Sequence, residues 1–155
     1  MDQIRFERLI NEFCAKGNLE KYRTVLTKLF KEIFDAECRI SARYDSSECS
    51  HSTDPKVCRI MISLQSGLHK KPGHILWTIL HEFGHHFSPL ALEDNNNINK
   101  IIESEERAWD WAENRFNSIT EFKLFNNDFL ALRKKYLKSY YDERTKINNH
   151  INKKN

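Results

Sequence analysis

Apolar residues recur at helical spacing along most of this chain, and the rhythm breaks in one place. Ile4, Leu9, Ile10 and Phe13 fall on one side of a helical wheel, and Gly17 stops that helix. Tyr22, Val25, Leu26, Leu29, Phe30 and Ile33 repeat the pattern and predict a second helix. Residues 38–44 then read as a strand, the polar stretch 45–56 as a loop, and the β-branched run 57–64 (VCRIMISL) as a second strand. The two strands predict a small antiparallel sheet.

Helical spacing resumes beyond the turn residues Gly67, Pro72 and Gly73. Residues 74–87 form a helix that stops short of Pro89, because the residue preceding a proline resists the α conformation. An Asn-rich loop at 94–97 leads to a helix over 98–117. Ser118 and Glu121 have capping-box spacing and predict the start of a last helix carrying Phe122, Phe125, Phe129, Leu132, Tyr136 and Tyr140. The fold class is α+β: a mostly helical single domain over 1–147, a small antiparallel sheet before the central helix, and a disordered tail at 148–155.

Composition bounds this picture. A chain of 155 residues, 39% of them hydrophobic, can build one core. No apolar run approaches the roughly 18 residues that cross a bilayer. The charged start Met1-Asp2-Gln3-Ile4-Arg5 lacks the apolar stretch of a secretory signal, which points to the cytoplasm and to no membrane partner. Net charge is +3 and uneven: from Arg133 onward eight Lys/Arg face two Asp/Glu. That basic end either attracts nucleic acid or an acidic partner, or is a solvated helix face. Cys14, Cys38, Cys49 and Cys58 include no CxxC pair and read as free thiols. A second metal site from Cys38, Cys49, His51 and Cys58 is the alternative, with spacings that match no zinc pattern.

The residues that carry chemistry are His81-Glu82-Phe83-Gly84-His85, an HExxH sequence inside the helix over 74–87. Positions i and i+4 share a helix face, so two imidazoles can converge on one tetrahedral Zn²⁺. Glu82, about 100° around the helix, can hold a water on that ion and accept its proton. Trp77, Leu80, Gly84 and Phe87 form the opposite face, which can bury while the histidines open to a cleft. Gly84 costs roughly 1 kcal/mol of helix propensity against Ala, and close approach by another backbone would compensate. His86 points elsewhere, as a surface or supporting group.

A catalytic zinc needs a third protein ligand and one open position. Glu105 is the leading candidate, separated from His85 by nineteen residues and on the next helix, with Glu106 as runner-up. If Glu105 faces the metal, Ala108 and Ala112 lie on the same side and let the two helices pack closely. Two imidazoles, a carboxylate and a water suit one Zn²⁺ per chain better than Ca²⁺ or Mg²⁺, which prefer oxygen shells.

HEFGHH followed by ESEERAWDWA resembles the gluzincin metallopeptidases, and within them the ImmA/IrrE family. The resemblance covers roughly residues 57–116: a strand, a polar turn, the HExxH helix, and a later helix with Glu105, Ala108 and Ala112. It implies a gluzincin-like fold and an endopeptidase that cuts a specific protein partner, often a transcriptional repressor. Trp109 departs from the Asp or Asn that related families use to brace a zinc histidine, and Asp110 is a possible substitute. No helix-turn-helix segment is recognisable.

An extended peptide could add by backbone pairing to the strand at 60–64, unless that is a plain sheet edge guarded by Lys70 and Lys71. Donors available for the oxyanion are Tyr136, Tyr140, Tyr141, His69 and His150, with Tyr136 and Tyr140 reading as core aromatics. The alternative to a peptidase is a non-catalytic, zinc-stabilised module binding a protein or nucleic acid; the intact Glu82 argues against it. A DNA-linked SprT-like protease would carry a cysteine-paired zinc ribbon after the catalytic helix, and no cysteine follows Cys58.

Overall fold

The computed structural model describes residues 3–43, 45–53, 56–64, 71–91 and 94–152. Its first two helices, α1 (Gln3–Gly17) and α2 (Arg23–Asp35), pack through Phe13 and Phe30, whose rings meet edge-on at 4.9 Å. Asn18, in the left-handed region at φ 53°, lets the Leu19 N–H reach back to the Cys14 carbonyl at 3.0 Å and closes α1.

The sheet is mixed. β1 (Cys38–Arg43) pairs in parallel with β3 (Lys56–Ser63), and β2 (Glu48–Thr53) pairs antiparallel with β3 from the other side. The order is β1-β3-β2, which corrects the antiparallel sheet expected from the two apolar strands. The cause lies in the stretch read as a loop. Glu48–Thr53 has no apolar alternation, yet its backbone pairs along β3, and its presence reverses the chain twice between β1 and β3. Cys38 lies opposite Cys58, and Ile40 and Cys49 both lie opposite Ile60. Cys38, Ile40, Cys49, Cys58, Ile60 and Ile62 therefore share one face, while Arg39 and Arg59 are exposed on the other.

α3 (Pro72–Phe87) crosses the inner face of the sheet, and α4 (Ile98–Asn117) runs beside it. The Asn97 side chain caps α4 by accepting from the backbone of Asn99 and Lys100. Trp77 of α3 meets Phe116 of α4 and Phe129 of α5 (Asn126–Asn152) at 5.9 Å each, and Phe116 stacks on Phe129 at 4.4 Å. Residues 75–84 are buried on every side, so α3 is a core helix rather than an amphipathic one. Phe87, expected on the buried face, is instead 52% exposed. Ion pairing between Arg115 and Glu32 joins α4 to α2.

The capping box does not form. Ser118 ends α4 by donating to the Arg115 carbonyl at 2.6 Å, residues 120–125 make a 3-10 segment, and α5 begins at Asn126. That helix runs to Asn152, so the expected tail is helical over 148–152. Part of its basic surplus is paired: Arg133 binds Asp110 and Glu113, and Lys138 binds Asp142. Among the described residues no helix is long and apolar enough to cross a membrane.

Candidate metal centre

His81 and His85 project from α3 toward α4, and Glu105 projects back between them. The two imidazole Nε2 atoms are 3.2 Å apart, and the Glu105 carboxylate oxygens lie 3.2 Å from His81 and 3.4 Å from His85. Donors each about 2.0–2.1 Å from a tetrahedral ion are about 3.3 Å apart, so this triangle has the dimensions of one face of such a site. These three side chains form a group able to hold a metal ion.

The helix pair reaches this spacing because both surfaces are small. A Cβ on Gly84 would lie 2.4 Å from the Ala108 carbonyl oxygen, and Ala108 and Ala112 are fully buried. The Ser104 hydroxyl donates to the Ser88 carbonyl at 3.2 Å and ties the start of α4 to the end of α3. Each glutamate of the run has its own direction. Glu103 pairs with Lys100 at 3.0 Å in solvent, Glu105 enters the triangle, and Glu106 accepts from the Tyr141 hydroxyl.

Charge in the triangle is set by the mutual contacts of its three side chains. Burial alone would raise the Glu105 pKa, but its hydrogen bonds to His81 and His85 and their charges hold it down at about 2. Burial pushes His81 toward the neutral form that a metal ligand requires. His85 is held above its ordinary value because Glu105 and Glu82 together outweigh its burial.

The support for His81 differs from the sequence expectation. Asp110 does not brace it; that side chain is exposed and bound to Arg133. Instead the Trp109 ring stacks on the His81 ring at 4.3 Å and 21°. His81 Nδ1 is buried with no hydrogen-bond partner among the described residues, so packing rather than a hydrogen bond orients this imidazole.

Glu82 is buried beside the triangle and faces the sheet, where the backbone N–H of Cys49 donates to it. Burial, reinforced by the carboxylates of Glu105 and Glu48, pushes its pKa up to about 8 against the opposing effects of His85 and that N–H. A carboxyl group near neutrality is what proton transfer at physiological pH needs.

The triangle opens into a cleft of about 670 Å³ walled by α3, α4, Ser47 and the first residues of β2, and Tyr136 and Tyr140 of α5. Tyr140 stands near Glu105, and burial followed by the charge of Glu105 keeps its hydroxyl protonated. Tyr136 packs on Trp109 at 5.8 Å. Both continue the stripe of Phe129 and Leu132, which is why spacing alone reads them as core. Tyr141 is committed to Glu106 and His150 is exposed on the last turns of α5, while His69 lies outside the described residues.

The strand along the cleft is also not the expected one. β3 is paired on both sides over residues 58–61, so residues 60 and 61 offer no free edge. β2 is the edge that faces the cleft. Lys70 lies outside the described residues, and Lys71 pairs with Asp128 at 2.7 Å rather than guarding the sheet. No family model, curated protein or solved structure matches this chain.

Proposed function

We propose that this chain is a zinc-dependent endopeptidase that hydrolyses a peptide bond in a specific protein partner. His81, His85 and Glu105 hold the ion, and Glu82 is the general base. The observation that carries this reading is the convergence of His81, His85 and Glu105, whose imidazole Nε2 atoms are 3.2 Å apart with one Glu105 oxygen 3.2 Å from His81 and the other 3.4 Å from His85, at a cleft that also contains a buried carboxyl. Two nitrogens and a carboxylate oxygen suit Zn²⁺ and leave room for a fourth, exchangeable position. Bound there, the ion supplies Lewis acidity, acidifying a water and polarising a carbonyl.

The protein's own groups supply the rest. Glu82 takes a proton from the attacking water and returns it to the leaving amine. The Tyr140 hydroxyl, protonated and lining the cleft beside Glu105, is the group to donate to negative charge developing on the scissile carbonyl oxygen. An extended substrate adds to the open edge of β2, where backbone pairing holds it irrespective of sequence. The resemblance to ImmA/IrrE gluzincins supports the same chemistry and points to a transcriptional repressor as the partner.

The test uses zinc-loaded protein and a proteome-derived peptide library, with new termini read by mass spectrometry. Wild type should create a defined set of ends, and Glu82→Gln should retain zinc and create none. Zinc retention with no cleavage by either protein would favour the non-catalytic interaction module.

A further inference from the structure

Three of the four cysteines, scattered in sequence, come together on the inner face of the sheet. Cys38 and Cys58 are cross-strand partners on β1 and β3, both buried. Cys49 reaches the same place from β2, with its Sγ 3.9 Å from that of Cys58. His86, one turn beyond Glu82 on the sheet-facing side of α3, joins two of these thiols: the ligand atoms of Cys38, Cys58 and His86 lie within 4.8 Å of one another, and Cys49 adjoins that group through Cys58. We propose that Cys38, Cys49, Cys58 and His86 form a second metal site, a closed structural one for Zn²⁺, separate from the His81–His85–Glu105 centre.

The geometry favours an ion over the two other fates of clustered thiols. Sulfurs each about 2.3 Å from a tetrahedral zinc are about 3.8 Å apart, close to the observed Cys49–Cys58 spacing of 3.9 Å. A Cys49–Cys58 disulfide fits poorly, because Cys49 lies opposite Ile60 and is a diagonal neighbour of Cys58. Diagonal positions are about 7–8 Å apart at Cα, at or beyond the reach of a disulfide. A plain apolar contact of thiols gives no reason for an imidazole to converge on the same sulfurs. Three thiolates and one imidazole make a Cys₃His set, with no position left for substrate.

Such an ion has a mechanical role. His86 follows His85 directly, so the ion fastens the last turn of α3 to all three strands. It also fixes the stretch of β2 whose Cys49 N–H touches Glu82. The proposal does not rest on the peptidase reading, since none of its ligands belongs to the donor triangle.

Full-length protein, reduced and stripped of metal, would be titrated with Co²⁺ and separately reloaded with Zn²⁺. Wild type should take up about two ions per chain. Co²⁺ should produce the intense near-ultraviolet charge-transfer band of thiolate ligation. Glu105→Gln should lose one ion and keep the band. His86→Ala and Cys49→Ser, at half-buried positions that tolerate substitution, should weaken or abolish the band while far-ultraviolet circular dichroism stays unchanged. Absence of the band in folded, reduced wild type would overturn the proposal, as would a Cys49–Cys58 disulfide persisting in place of metal binding. Because the band reports sulfur ligation alone, this result is independent of whether the histidine site fills.

Discussion

The carbonyl oxygen of Ala108 occupies the space that a methyl group on Gly84 would need, 2.4 Å from the ideal Cβ position. Helix propensity alone says that Gly84→Ala gains roughly 1 kcal/mol. Overpacking against a backbone that cannot rotate away costs about 1–3 kcal/mol. Gly84→Ala should therefore lower the melting temperature and weaken zinc binding, because α4 and Glu105 are displaced together. A calorimetric scan with and without zinc checks both effects; a stabilised variant with unchanged affinity would refute the packing argument.

The three glutamates at the start of α4 should separate cleanly. Glu105→Gln removes the anionic corner of the triangle and should lose most zinc at that site. Glu103→Gln should stay within about 0.5 kcal/mol of wild type in stability. Glu106→Gln should keep the metal while disturbing only the contact with Tyr141. Zinc content of the three variants, measured side by side, decides the matter, and retention by Glu105→Gln would break the assignment.

Tyr140→Phe tests the donor in the cleft. Its zinc content should match wild type, while kcat falls by about 10²–10³-fold and KM changes little, the pattern for a donor used only in the transition state. Equal losses in kcat and zinc content would instead mean that Tyr140 serves only to hold Glu105.

Glu82 sets a pH dependence in the metal-free protein. Its pKa stands at about 8 against an ordinary 4.5, so the folded state holds a proton that the unfolded state releases. The associated stability is complete below the unfolded value and is lost as pH rises through the folded one. Between about pH 5 and about pH 9, metal-free wild type should lose melting temperature relative to Glu82→Gln, which cannot ionise. Parallel melting curves for the two proteins across that range would contradict the burial of this carboxyl.

Much of the site was legible because helices repeat locally. HExxH on a helix places two imidazoles one turn apart, and Ala108 and Ala112 identify the side of α4 that can approach it. Gly84 disclosed the close approach because it is otherwise a poor choice within a helix. The sheet was less legible. Strand direction depends on which segments pair, and β2 pairs through its backbone while its side chains, Glu48, Cys49 and Ser50 among them, look like those of a loop. With β2 unseen, the true free edge, the N–H reaching Glu82 and the convergence of Cys38, Cys49 and Cys58 were all out of sight. The support of His81 by Trp109 escaped for another reason: stacking leaves no spacing signature, whereas a carboxylate brace is sought at a fixed position.

Because α3 is enclosed by the sheet, α4 and α5, its amide hydrogens have no route to solvent short of opening the whole domain. Residues 75–84 should therefore exchange with deuterium only at the rate of global unfolding, while the free edge of β2 exchanges orders of magnitude sooner. A chain built this way keeps its ligand-bearing helix still. Adaptation to a new partner can then proceed through positions of β2 other than Cys49 without disturbing that helix.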